Sequence, residues 1–88
     1  MSENQELTDG QKRAIYRAEH RGTKEMDWLL GRFVRAKAGL LDTAALLDVE
    51  ALMEIPDREL EGWIMGTDND IKPEFKTLVN EIKKFHNI

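Results

Sequence analysis

The sequence predicts an all-α fold, a compact single-domain bundle of five helices. Two observations carry this. Apolar residues recur at i, i+3 and i+4 spacing in five stretches, each bounded by a capping residue, a glycine or a proline. No stretch sustains the period-two alternation of a half-buried strand, so no sheet is expected.

Residues 1–8 read as a disordered tail and residues 9–88 as the bundle. Thr8 and Gln11 have the spacing of a capping box, which opens a first helix from about residue 9 to residue 20. Ala14, Ile15 and Ala18 form its narrow apolar stripe, and Arg13, Arg17 and Arg21 follow one another at four-residue spacing as a basic ridge. Gly22 is expected just past the helix end, where a glycine takes positive φ without steric cost.

Thr23 then caps a second helix, from about residue 24 to residue 37. Glu25 and Asp27 fall in its first turn, where carboxylates complement the positive end of the helix dipole. Met26, Leu29, Leu30, Phe33 and Val34 make its buried face, and Gly39 stops it. Trp28 lies one position off that stripe, which suits partial exposure. Leu40 and Leu41 are expected to pack as a short apolar connector.

Asp42 or Thr43 caps a third helix that runs to about residue 55 on Leu46, Val49, Leu52 and Met53, and Pro56 ends it. Asp57 is expected to cap a short fourth helix with Leu60, Trp63 and Ile64 buried and Gly66 closing it. Thr67-Asp68-Asn69-Asp70 reads as a polar turn. Pro73 then sits in the first turn of a fifth helix to about residue 86, on the stripe Phe75, Leu78, Val79, Ile82 and Phe85.

A chain of 88 residues is one domain. At this mass it buries roughly 64% of its unfolded surface, enough for one modest core and too little for a deep reaction pocket. The absence of cysteine excludes disulfides, zinc–thiolate and iron–sulfur sites and thiol nucleophiles, and points to a reducing cytosol. No apolar run has the length of a membrane span, and the polar, acidic first ten residues are unlike a secretory signal. The chain reads as a complete cytosolic protein that does not insert into membranes.

The net charge of −4 hides a division. Residues 11–37 carry eight Lys/Arg against three Asp/Glu, whereas residues 38–70 carry one Arg against nine acids. Such asymmetry suits oriented docking on another protein, and a pair of solvated faces is the plainer reading.

Enzyme chemistry finds no support. His20 and His86 lie at opposite ends of the chain and make no metal motif, Ser2 is the only serine, and no phosphate-binding glycine loop is present. Asp68-Asn69-Asp70 lacks the glycine and terminal glutamate of a calcium loop. No catalytic, cofactor-binding or metal-ligating residue is assigned. The first two helices can imitate a helix-turn-helix, but Glu25 and Asp27 would set carboxylates against phosphates, so no nucleic-acid partner is expected.

The dense stretch is the junction from His20 to Trp28. In one continuous helix Arg21 and Glu25 would form an ordinary ion pair. With Gly22 breaking the helix, they project from the end of one helix and the start of the next. Local physics then makes Glu25 a dipole partner and Arg21 a solvated end.

Arg21-Gly22-Thr23-Lys24-Glu25 resembles the RGxxE signature of the SdhE family of succinate dehydrogenase assembly factors, and Asp27 matches the aspartate those proteins tend to have two residues on. The acidic middle, the short helix from Asp57 to Trp63 and Pro73 extend the resemblance over about residues 11–86. His20 stands where many relatives have a second basic residue, and Gly62 where they often have a bulkier polar one.

The resemblance implies a bacterial assembly chaperone without a catalytic cycle. It would assist covalent attachment of FAD, through the flavin's methyl group, to a histidine of the succinate dehydrogenase flavoprotein subunit, and in some bacteria of fumarate reductase. FAD would be handled within that partner and not held stably by this chain. Docking would run through Arg21, Gly22 and Glu25, with Arg21 pairing a partner carboxylate and Asp27, Trp28, His20 and Arg17 flanking. The helical stripes are used by one core, so a free monomer is expected. The competing reading is a small cytosolic adaptor for another protein client.

Overall fold

The computed structural model describes residues 7–66 and 69–88. The tail expected over residues 1–8 falls, for residues 1–6, outside them, and so do Thr67 and Asp68 of the expected polar turn and of the calcium-loop comparison. The described residues form five α-helices: α1 (Asp9–Glu19), α2 (Lys24–Lys37), α3 (Thr43–Leu52), α4 (Asp57–Met65) and α5 (Lys76–Phe85). Short 3-10 turns over Ala38–Leu40 and Pro73–Phe75 lead into the connection after α2 and into α5. No strand occurs among the described residues, as the periodicity requires.

The chain starts with both halves of a capping box. Thr8 Oγ1 accepts the Gln11 N–H at 3.1 Å and Gln11 Oε1 accepts the Thr8 N–H at 2.9 Å. The other end of the Gln11 amide donates to the Leu41 carbonyl at 3.0 Å, which ties the start of α1 to the end of the α2 connection. Between those points α2 runs back along α1. Gly31 sits close against α1: a Cβ there would lie 2.9 Å from Glu19 Cγ and 3.3 Å from Glu19 Cα. Beside this crossing the Arg35 guanidinium holds the Glu19 carboxylate through two bonds of 2.5 and 2.9 Å.

The core is one apolar cluster drawn from every helix, with Met26, Leu30, Val34, Leu52, Leu60, Trp63, Ile64, Val79 and Ile82 fully buried. Each such side chain contributes roughly 2 kcal/mol on leaving water, more than an exposed ion pair does, so this core sets the helix arrangement. Leu46 and Leu78 pack at its rim.

The structure corrects four expectations. Leu40 is 80% exposed, because the 3-10 turn points it outward, and only Leu41 packs on the core. Phe85 is 40% exposed and meets the core edge-on through Phe33, with ring centroids 5.7 Å apart. The third helix stops at Leu52, and Met53, Glu54 and Ile55 turn before Pro56. Pro56, not Asp57, stands at the N-cap of α4 and forms no side-chain cap bond.

Two helix ends close in left-handed conformation. Gly66 has φ 83° after α4, as expected, and Asn87 has φ 62° after α5. At α5 the Ile88 N–H donates to Lys83 O and the Asn87 N–H to Lys84 O, which is the Schellman closure. No helix of the described residues is long and apolar enough to cross a membrane.

Candidate docking site at the first helix junction

α1 ends at Glu19, and His20 caps it at φ −128°, ψ 55°. The His20 ring stacks on Tyr16, with centroids 4.0 Å apart, and its Nδ1 lies 2.7 Å from the Tyr16 carbonyl. A carbonyl can only accept, so Nδ1 carries the proton.

Arg21 turns away from solvent. Its Nε donates to Asp57 Oδ1 at 2.8 Å, Nη1 to the Met53 carbonyl at 2.6 Å and Nη2 to the Ile55 carbonyl at 2.9 Å. Nη2 also lies 2.7 Å from Asp57 Oδ1, and the Arg21 side chain is 11% exposed. Those carbonyls belong to the turn that ends α3, where unsatisfied C=O groups and the negative end of the helix dipole favour a cation. The expectation of a solvated end is corrected: the guanidinium is taken up by Asp57 and the carbonyls of Met53 and Ile55.

Asp57 serves two masters at once. While Oδ1 receives Arg21, Oδ2 accepts the Gly22 N–H at 3.1 Å. A Cβ at position 22 would lie 3.3 Å from that same Oδ2. Gly22 does not take positive φ, which corrects the expected reason for a glycine here. The constraint is space beside the Asp57 carboxylate. Using Asp57 in this way also explains why it does not cap α4.

The start of α2 is fixed from within. Thr23 Oγ1 accepts the Met26 N–H at 3.2 Å, as expected of an N-cap. The Asp27 carboxylate accepts the Arg21 N–H at 2.5 Å, so this half-buried side chain ties the loop to the helix that follows it. Arg17, one turn before Arg21, pairs with Glu54 at 2.6 Å in a far more exposed setting.

What remains outward is compact. Glu25 is exposed in the first turn of α2 and makes no hydrogen bond or ion pair among the described residues. Trp28, three residues on, is 49% exposed. Its ring lies 4.5 Å from the His86 ring, and the Arg32 guanidinium carbon lies 6.0 Å from its centroid. The structure therefore divides the sequence-predicted set. Arg21, Gly22 and Asp27 build the loop, Glu25 and Trp28 face out, and Arg17 and His20 flank it along α1.

Asp57 and His86 are residues the sequence analysis did not place at the site. An aspartate directly after a proline does carry a signal, because the proline can take the N-cap place and free the aspartate for another partner. Among the described residues no group of three or more His, Asp and Glu side chains is placed to hold a metal ion.

Fold and junction are those of a small helical protein whose first helix junction is held by side-chain hydrogen bonds from Asp27 and Asp57. The family model described as flavinator of succinate dehydrogenase matches residues 12–86, and the chain belongs to that family. The chain is 45% identical over 60 residues to a protein of Acetobacter pasteurianus called FAD assembly factor SdhE, covering 68% of this chain and 55% of that one. It is 29% identical over 85 residues to a protein of Dictyostelium discoideum called succinate dehydrogenase assembly factor 2, mitochondrial, covering 97% of this chain and 60% of that one. The chain thus spans little more than half the length of these relatives. No solved structure gives a significant match. The resemblance read from the RGxxE stretch is borne out at the level of the family.

Proposed function

We propose that this protein is an assembly chaperone that promotes covalent attachment of FAD to the flavoprotein subunit of succinate dehydrogenase, docking on it through the junction between α1 and α2. Family membership and the names of both relatives support the client. The observation that carries the docking role is the Asp57 clamp, which immobilises Arg21 and Gly22 and leaves Glu25 unpaired beside them.

The roles follow from that geometry. Arg21 fixes the loop. Gly22, exposed and without a Cβ, lets a partner's backbone come close. Glu25 offers its carboxylate to partner amides or a basic side chain, and a hydrogen bond to a charged group contributes about 1.5–3 kcal/mol. Asp27 holds the loop from inside, Trp28 adds apolar contact, and Arg17 and His20 border the contact on α1. The chain acts by holding the flavoprotein in the geometry that favours bond formation. It supplies no catalytic residue and keeps no cofactor or metal of its own, and FAD stays within the partner. Fumarate reductase is a second client of the same chemistry. The protein works in the bacterial cytoplasm, as a monomer when free and a one-to-one complex when docked.

The test is in-gel flavin fluorescence of the denatured flavoprotein, which detects only covalent flavin. It compares cells lacking this protein, cells with it restored and cells carrying Glu25→Ala. The expected result is loss, recovery and a weakened signal, respectively. Equal fluorescence in all three would overturn the flavinylation role.

A further inference from the structure

We infer that His86 is a positioning residue for the docking face: it holds the exposed indole of Trp28 in place as a ready-made anchor for an apolar recess on the flavoprotein. This rests on the docking role proposed above and names the chemistry of the surface that receives it.

The hold on His86 is built from three directions. Its backbone is the C-cap of α5, where its N–H donates to Ile82 O at 3.1 Å and the Schellman closure through Asn87 completes the helix end. Its Nε2 lies 2.8 Å from the Leu29 carbonyl, so Nε2 carries the proton and donates across to α2. Its ring stands between two others, 4.5 Å from Trp28 and 5.0 Å from Phe85 at right angles. Phe85 in turn meets buried Phe33 edge-on. A continuous run of aromatic rings thus leads from the core to Trp28.

An exposed large aromatic supported in this way differs from one that merely fails to be buried. Tryptophan supplies much contact area with two side-chain torsions, and it is enriched among the few residues that carry most of an interface's binding energy. Fixing it before contact removes the ordering cost that a free side chain brings to binding. Helical spacing places Glu25, Trp28 and Arg32 on one side of α2. Their order, carboxylate then indole then guanidinium, specifies the complement: an apolar recess with hydrogen-bond donors or a cation at one end and a carboxylate at the other.

The experiment uses the full chain and the purified succinate dehydrogenase flavoprotein, with titration calorimetry on wild type, Trp28→Ala, His86→Ala and the double variant. Nitrogen-15 relaxation of the two indole N–H groups in the free chain accompanies it, with buried Trp63 as internal control. The expected result is that His86→Ala lowers the order of the Trp28 indole, leaves Trp63 unchanged and weakens binding about three- to tenfold. Trp28→Ala weakens binding at least as much, and the double variant is no worse than Trp28→Ala alone. Independent, multiplying losses or an unchanged Trp28 indole would overturn the positioning role. A wild-type chain that does not bind the flavoprotein would overturn the client assignment and the docking role of Trp28 with it. The relaxation comparison alone would still decide whether His86 holds the indole.

Discussion

Two arginines four residues apart, Arg17 on α1 and Arg21 in the junction after it, each meet an acid from the middle of the chain, and burial separates their worth. Arg17 and Glu54 lie 2.6 Å apart with side chains 37% and 71% exposed, whereas Arg21 and Asp57 lie 2.7 Å apart at 11% and 27%. Distance does not distinguish the pairs. An exposed pair contributes about 0.2–1 kcal/mol, and breaking a buried one by deleting one partner costs about 3–5 kcal/mol. Arg21 keeps the Met53 and Ile55 carbonyls when Asp57 is removed, and Gly22 is exposed enough for water to replace its lost bond. Asp57→Ala is therefore expected to cost about 2–3 kcal/mol, lowering the melting temperature of a domain this size by about 10–20 °C. Glu54→Ala should cost no more than about 0.5 kcal/mol. Asp57 also lies in the first turn of α4, where an acid is favoured by the helix dipole. Glu59 in the same turn is exposed, so Glu59→Ala measures that effect alone. Urea unfolding followed by circular dichroism supplies all three numbers. If Asp57→Ala and Glu54→Ala fall within about 0.5 kcal/mol of each other, the clamp does not hold the loop.

Two further outcomes follow from the helix crossing. Alanine in place of a helical glycine normally stabilises by about 1 kcal/mol, but at Gly31 the new Cβ would lie 2.9 Å from Glu19 Cγ, so Gly31→Ala is expected to destabilise by about 1 kcal/mol. A higher urea midpoint for that variant would show that α1 and α2 have room between them. Glu19 supplies the pH dependence: the hydrogen bonds from Arg35 hold its carboxyl below the ordinary 4.5. A lowered folded-state value stabilises above the unfolded value, and that contribution is lost as the pH falls through the folded one. Glu19→Gln should therefore flatten the acid side of the stability profile below about pH 4.5. Urea midpoints that fall in parallel for both proteins would remove Glu19 from the account.

What the sequence made legible is what a window of a few residues encodes. Thr8 with Gln11, Thr23, Asp42 and Gly66 each act within about one turn of helix, and the structure finds each in the expected role. The core followed from the same helical periodicity, except where Leu40 and Phe85 sit at the ends of elements and periodicity cannot say which way an end points. Asp57 was illegible for the converse reason. Its position favours a helix cap, and nothing nearby reveals that its two oxygens serve groups 35 and 36 residues earlier. Gly31 was silent too, since the space it opens is defined by another helix.

The charge division has a similar resolution. The basic ridge of α1 and the acidic middle suggested two faces for a partner, yet Arg17 and Arg21 meet Glu54 and Asp57 inside the chain. Part of the asymmetry is thus internal assembly, and within the basic segment Glu25 is the acid whose carboxylate stays exposed and unpaired among the described residues. Gly22 completes the argument. The sequence marks it as special through backbone freedom, but the structure ties it to Asp57 Oδ2, 3.3 Å from where its Cβ would be. A side chain at position 22 would press on the carboxylate that holds Arg21. The identity of residue 22 and the clamp at residue 57 are one constraint on the path of the chain from α1 into α2.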